Sequence, residues 1–436
     1  MKVCVIGLGY VGLTLSAALA NKRVRVHGVE INDNILKSLA INKAHFYESG
    51  LDPILSEIIS NGSFTFSKNI SDASDFTHYI ITVGTPVDCN GLVNLNYIES
   101  VCNELFNFLK NGDTIILRST VKVGLTRDIF NRVLSQSGAE LKIGFCPERT
   151  LEGKALDELV SLPQIISGID RNSIIAVSEL FEILTDDLVV MSSLEAAELV
   201  KLINNTQRDL YFSFANEIAF IADDLNLSCH EVIKAANHNY PRSSIAKPGP
   251  VGGPCLEKDP YILSSSIDIK PKLSLMGREN NESLMSYSVD YAFKYYLNIN
   301  NTLPSKIVIL GLAFKGNPET SDLRGTLAKS LVDNIISINS NASIFGHDPS
   351  VNKEESKAYL GIEQVESFDL VLQDADLIFI QNNHFYYSSL NLQSVANKVN
   401  FGCLIYDFWA LHSDFSISLP NNVNYISLGS SCDGAC

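Results

Sequence analysis

The chain has 436 residues, of which 46% are hydrophobic and 19% charged, and a formal net charge of −16. That length exceeds what one hydrophobic core supports and predicts two or three domains. The acidic balance excludes nucleic acid and an anionic membrane as main partners, so any anionic ligand must be held by a local cluster of donors.

Val3 to Ile6 reads as a first strand. It runs into Gly7-Leu8-Gly9-Tyr10-Val11-Gly12, which opens a helix. Lys2 and Ala18-Leu19-Ala20 lend this start a superficial likeness to a secretory signal, but the three glycines interrupt the apolar run and fit a strand-turn-helix instead. Glycines at this spacing permit a tight turn and close approach of a pyrophosphate to the helix N-terminus. Glu30 follows the second strand run, Val24 to Val29, where a carboxylate accepts ribose hydroxyls and repels a 2′-phosphate. The expected cofactor is NAD rather than NADP, and the alternative is a Rossmann-like fold without a cofactor.

Tyr79 to Val83, Thr114 to Leu117 and Ile143 to Phe145 continue the alternation of apolar runs with helix-like stretches, the pattern of a parallel sheet wrapped by helices. Two segments end such runs: Thr82-Val-Gly-Thr85-Pro86 and Arg118-Ser119-Thr120-Val-Lys-Val-Gly124. Their hydroxyls either contact the cofactor and order water or serve ordinary turn chemistry. In Cys146-Pro-Glu148-Arg-Thr-Leu-Glu152 two carboxylates stand four apart, which on a helical turn share one face. A solvated acidic face is the alternative.

From Ser192 to about Leu227 one long helical run contains no Pro or Gly, and a helix of that length spans between domains or pairs with another subunit. Lys201 and Asn205, four apart on it, point at one ligand, with Arg208 on the same side; solvent is the competing reading. A second helix, Ser228 to Asn237, leads into Pro248-Gly249-Pro-Val-Gly252-Gly253-Pro-Cys255-Leu-Glu-Lys-Asp259. Adjacent glycines let this backbone present the Cys255 thiol at a surface, where Lys258 or Lys201 would favour the thiolate; an inert structural thiol is the alternative.

Lys306 to Lys315, Ala342 to Phe345, Ala375 to Ile380 and Cys403 to Tyr406 resume the alternation. The fold class is α/β: two Rossmann-like doubly wound domains, residues 1–190 and 300–436, joined by a central helical domain, residues 191–299, that holds the long helix and the thiol loop. Nine cysteines, at 4, 89, 102, 146, 229, 255, 403, 432 and 436, form no CxxC pair and no zinc spacing, which points to a reducing cytoplasm and no metal. Cys432 and Cys436 read as part of an unstructured tail, with a redox pair as the alternative. No uninterrupted apolar segment reaches the length of a membrane span.

Taken in order, Gly7 to Gly12, Thr85-Pro86, Ser119-Thr120-Val121, Pro147-Glu148, Lys201 with Asn205, Gly252-Gly253 with Cys255 and Asp259, and Ala313-Phe314-Lys315 closely resemble the UDP-glucose/GDP-mannose dehydrogenase family. The resemblance is strongest to the branch that oxidises UDP-N-acetylhexosamines. It implies that NAD oxidises C6 of the sugar twice, with Cys255 capturing the aldehyde as a thiohemiacetal and water cleaving a later thioester. It further implies oxyanion donors in Lys201 and Asn205, and water-handling and proton shuttling by Thr120, Glu148 and Asp259, with Glu152 near both ligands. Residues 1–190 would bind NAD, the central part would dimerise, and residues 300–436 would hold the UDP-sugar. Gly249, Gly252, Phe314 and Lys315 would line the sugar nucleotide, and Arg324 would reach the cofactor. Arg208 and Arg242 look like the arginines of the N-acetylhexosamine branch, Arg242 reaching the substrate of a neighbouring subunit in a homodimer or higher oligomer.

Four places depart from the family pattern: a missing residue before Val251, Pro254, a long Lys315 to Arg324 spacing, and Asp407-Phe-Trp-Ala where many members carry a basic residue. These leave open UDP-N-acetylmannosamine against UDP-N-acetylglucosamine, with UDP-glucose or GDP-mannose next and a non-catalytic nucleotide-sugar binder last.

Overall fold

The computed structural model describes residues 1–86, 94–269, 271–412 and 420–430. Cys89, Cys432 and Cys436 lie outside the described residues. The chain divides into two compact units, residues 1–204 with 261–270 and residues 205–260 with 271–436.

Eight strands build the first unit: Lys2–Ile6 (β1), Arg25–Val29 (β2), Phe64–Ser67 (β3), His78–Ile81 (β4), Thr114–Leu117 (β5), Lys142–Phe145 (β6), Gln164–Gly168 (β7) and Leu188–Val190 (β8). Their order is β3-β2-β1-β4-β5-β6-β7-β8. The first six are parallel in the doubly wound order, while β7 runs antiparallel to β6. Helices cover both faces, which is why the strands read as unbroken apolar runs. Val3 and Val5 enter one core, and Cys4 and Ile6 the other.

The second unit repeats the plan with Lys306–Leu310 (β9), Ser343–His347 (β10), Glu363–Gln364 (β11), Leu377–Ile380 (β12), Cys403–Asp407 (β13) and Val423–Ser427 (β14). All are parallel, in the order β11-β10-β9-β12-β13-β14. Ile307 and Ile309 face one core; Val308 and Leu310 face the other.

The long helix runs Leu194–Asp224, 31 residues or about 46 Å. Ser193 Oγ accepts the Ala196 N–H at 3.1 Å to cap its start. Asn226 is left-handed (φ 53°) and the Leu227 N–H returns to Ala222 O at 2.8 Å, so the helix closes before the Leu227 expected from sequence. A second long helix, Lys272–Asn300, was not anticipated. It packs Leu284, Met285, Val289 and Phe293 into the core beneath the second sheet. Among the described residues no helix is long and apolar enough to cross a membrane.

Asp223, near the end of the long helix, is buried and accepts the Tyr287 hydroxyl at 3.0 Å. Burial pushes its carboxyl up to about 6, the Tyr287 bond offsetting only part of this. The folded chain thus holds this proton more tightly than the unfolded one. The associated stability is full below about pH 4, where the unfolded carboxyl titrates, and is lost as pH rises through about 6. Asp223→Asn removes this titration, so the fall in Tm between about pH 5 and about pH 7.5 should be smaller than in the wild type. Identical pH dependence of Tm in the two proteins would refute it.

Candidate active site

Gly7 leaves β1 with φ +93°, and its N–H donates to Val29 O at 2.8 Å. A methyl group on Gly12 would lie 1.9 Å from Gly7 O and 2.6 Å from Thr82 Oγ1, so the turn and helix close only around glycine. Nothing lies within 4 Å of the position a Gly9 Cβ would take. The helix Tyr10–Asn21 starts there with no side-chain cap and no acidic residue in its first turn, leaving its N–H groups and positive dipole end facing that space. Leu8 is buried in the core and fixes the turn from below. Glu30 Oε2 accepts the Leu8 N–H at 2.8 Å and Oε1 the Asn32 N–H at 2.9 Å. A fixed carboxylate beside an uncapped helix start fits an adenosine ribose and a pyrophosphate, so these residues match NAD.

The second sheet carries the same clamp. Gly311 has φ +91°, its N–H donates to His347 O at 2.9 Å, and Asp348 Oδ2 accepts the N–H groups of Leu312 at 2.7 Å and Ala313 at 3.1 Å. Sequence reasoning missed Asp348; its signal was an acid ending a strand run after a Gly-terminated one, the relation of Glu30 to Gly7.

At the strand ends of the first unit the hydroxyls bind backbone. Thr85 Oγ1 donates to Thr120 O at 2.6 Å and Ser119 Oγ to Val83 O at 2.6 Å, which ties the two loops together next to exposed Pro86. Glu198 of the long helix, buried, accepts the N–H groups of Gly124 at 2.6 Å and Thr126 at 2.9 Å and so anchors the far end of the Thr120 loop.

Glu148 and Glu152 do not share a helical turn: residues 146–151 are irregular and the next helix is Ala155–Ser161. Glu148 Oε1 accepts the N–H groups of Arg149 at 2.6 Å and Thr150 at 2.7 Å, which takes the donors a helix would need. Its Oε2 accepts Arg118 Nη2 at 2.7 Å. Arg118, missed in the sequence reading, is fully enclosed by Glu148, Cys146, Gln164 and the Phe181 ring. Burial alone would push the Glu148 carboxyl up, but the Arg118 guanidinium, two backbone N–H groups and Lys201 hold it below the usual range. These donors favour the ionised form of Glu148. Glu48, also missed, accepts the Tyr10 hydroxyl and the N–H groups of Gly153 at 2.7 Å and Ala155 at 2.8 Å, joining the glycine turn to the Glu152 loop.

Lys201 and Asn205 lie buried on one face of the long helix; Arg208, at the same angular position, is exposed. In the second unit Asn205 Nδ2 donates to Asp259 Oδ2 at 2.5 Å, and the Asp259 N–H donates to Cys255 O at 3.0 Å. Cys255 is exposed. The other described cysteines are buried, and burial pushes the thiols of Cys102 and Cys229 to about 12 and that of Cys146 to about 11. Gly253 has φ +95°, and a Cβ there would strike the Phe314 ring at 2.6 Å; one on Gly252 would strike Gly325 O at 2.3 Å. Lys315 stands over the Phe314 ring at 5.3 Å. The Trp409 ring lies 2.8 Å from where a Gly249 Cβ would be, and its Nε1 donates to Gln381 O at 3.0 Å. Arg324 pairs with Asp322 at 2.5 Å, and exposed Arg242 donates to the Tyr240 hydroxyl at 3.1 Å.

Two doubly wound sheets, a glycine turn matched to NAD and an exposed thiol on a glycine loop define a dinucleotide-dependent dehydrogenase. The chain matches the UDP-glucose/GDP-mannose dehydrogenase family in three parts: the NAD binding domain over residues 1–185, the central domain over 195–283 and the UDP binding domain over 308–413. It belongs to that family, its cofactor is NAD, and it is an NAD-dependent nucleotide-sugar dehydrogenase. A Campylobacter jejuni protein named UDP-N-acetyl-D-mannosamine dehydrogenase is 33% identical over 401 residues, 88% of this chain and 95% of that one. The structure of UDP-D-ManNAc dehydrogenase from Pyrococcus horikoshii superposes with a TM-score of 0.88 at 27% identity, covering 99% of this chain and 100% of that one. That of UDP-N-acetyl-mannosamine dehydrogenase from Staphylococcus aureus gives 0.85 at 28% identity, covering 99% of each.

A 2′-phosphate placed beside Glu30 would meet a carboxylate fixed by two backbone N–H groups. NAD should exceed NADP by more than about tenfold in kcat/KM, and Glu30→Ala should narrow the gap. Equal kcat/KM for both cofactors in the wild type would overturn this role.

Proposed function

We propose that the enzyme oxidises C6 of a UDP-N-acetylhexosamine, first of all UDP-N-acetyl-D-mannosamine, to the uronic acid in the cytoplasm. The names of its relatives support the substrate. The observation that carries the chemistry is the exposed Cys255 thiol on a loop closed by Gly252 and Gly253. Residues 1–190 hold NAD and residues 300–436 the UDP-sugar in this reading. Bound NAD supplies the hydride acceptor for both oxidations, of the alcohol and of the thiohemiacetal.

Between those oxidations Cys255 adds to the C6 carbonyl carbon, forming a C–S bond while the oxygen gains a proton. Lys201 and Asn205 stabilise the negative oxygen as it develops. At the thioester stage water adds to the same carbon, the C–S bond breaks, and a carboxylate and the Cys255 thiolate result, with the two protons of the water released to solvent. Thr120, Asp259 and Glu152 orient that water and its protons. Glu148, kept ionised by Arg118, suits holding the water and is poorly suited to donating a proton. Gly249, Gly252, Phe314, Lys315 and Arg208 line the sugar nucleotide, and Arg324 reaches the cofactor.

Each sugar should yield one NADH per oxidation and no accumulating aldehyde. Cys255→Ala should abolish acid formation while leaving NAD and sugar-nucleotide affinity nearly unchanged, and Cys255→Ser should lower turnover by orders of magnitude. A single NADH per sugar, or acid formed at an appreciable rate by Cys255→Ala, would move the chemistry elsewhere.

A homodimer is part of the same reading. Leu199, Ile203, Tyr211, Phe214 and Ile221 are each at least 38% exposed on the long helix and fall within about a third of its circumference. An apolar stripe of that length suits burial by a second copy, with Arg242 acting on the partner's substrate. Light scattering should give at least twice the chain mass. A monomer that still turns over would refute the shared site.

A further inference from the structure

Beneath the thiol loop the two long helices share a ladder of buried polar side chains. Asn216 grips Gly249 by both backbone groups, accepting its N–H at 2.8 Å and donating to its carbonyl at 3.2 Å. Asn216 also donates to Asn281 at 2.9 Å, and Asn281 donates to Asp209 Oδ1 at 2.9 Å. Asp209 Oδ1 in turn accepts Arg278 Nη1 at 2.8 Å, with both side chains fully enclosed. From there Arg278 reaches back to the loop, donating to Val251 O at 3.2 Å and to Leu256 O at 3.4 Å. Glu282, half exposed, stands 3.4 Å from Arg278 Nε.

An enclosed guanidinium is a costly way to join two helices, because desolvation offsets most of the pair's attraction and an apolar pair of like volume would serve. The helices are already joined without it. Asn280 donates to Ser213 O at 2.9 Å, and at Gly277 a Cβ would strike the Leu210 side chain at 2.5 Å, so that side chain packs directly on the Gly277 backbone. What Arg278 adds is the hold on two carbonyls that flank Cys255, one before the paired glycines and one immediately after the thiol. A planar fork can take a carboxylate and two carbonyls at once; a lysine ammonium on a flexible stem cannot hold that geometry.

We propose that Arg278, aligned by Asp209, is a positioning residue for Cys255, fixing the loop so that the thiol meets the C6 carbonyl in one orientation. This rests on the reading of Cys255 as the nucleophile. The Gly252-Gly253 pair allows the loop many conformations, and Arg278 selects one. Misplacement of a nucleophile costs rate at the covalent step and leaves distant binding contacts intact.

The test uses the full-length enzyme with Arg278→Lys. Its kcat should fall about 10²-fold while KM for the sugar nucleotide and the Kd for NAD change less than about threefold. Alkylation of Cys255 by iodoacetamide, located by peptide mapping, should depart from the wild-type rate, because a loop released from Arg278 presents the exposed thiol differently. Wild-type kcat with a wild-type alkylation rate overturns the proposal, as does a fall in kcat matched by an equal loss of sugar-nucleotide affinity. Should Arg278→Lys fail to fold, Asp209→Asn keeps the guanidinium, removes its anchoring charge and is judged by the same readouts. Acid formation by Cys255→Ala would instead refute the nucleophile reading, and the alkylation rate still decides whether Arg278 holds the loop.

Discussion

At the carboxyl end of a parallel sheet the backbone leaves its ladder with N–H groups that must find acceptors, and here a single carboxylate receives them in each half of the chain. Glu30 takes the Leu8 N–H, and Asp348 takes those of Leu312 and Ala313. Each acid sits at the end of the strand beside the first one, so the crevice at the switch point opens next to a fixed negative charge. The glycine turn, the uncapped helix start and the strand-end loops are all placed relative to that anchor. In the first sheet the arrangement extends outward: Glu48 ties the Tyr10 turn to the Glu152 loop, and Glu198 ties the long helix to the Thr120 loop. Buried carboxylates with backbone donors are the recurring fastener of this structure.

The same device explains the state of the charged groups. Glu148 is held ionised because Arg118 and two N–H groups outweigh its burial, whereas Asp223, with one tyrosine hydroxyl as its side-chain donor, is pushed toward the neutral form. Identical chemistry in two enclosed carboxyls thus gives opposite outcomes. The Arg118 charge beside Glu148, which Asp223 lacks, decides which.

The apolar runs from Val3, Val24, Tyr79, Thr114 and Ile143 were legible because strands covered on both faces leave no polar alternation to interrupt them. The short strands Phe64–Ser67, Leu188–Val190 and Glu363–Gln364 were not, since they lie at sheet edges and keep exposed positions. The helix Lys272–Asn300 escaped notice for the converse reason. Its buried face includes Ser274, Arg278, Asn281 and Ser288, which carry no apolar period. The exposed thiol and the glycine turn could be read directly, because glycine spacing is a local signal. Arg118, Arg278 and Glu48 could not, because each acquires its meaning from a partner at least 30 residues away in sequence.

The chain contains one tryptophan, and its indole rests on the Gly249 backbone at the start of the thiol loop. Light absorbed at the red edge of the aromatic band therefore excites a single chromophore at a single, functionally placed spot. The indole edge is pinned to Gln381 O, so its orientation is set by the second sheet while its face senses the loop. Any shift of that loop changes the polarity and quenching around the ring. The molecule thus carries its own optical gauge of loop conformation, with no label attached.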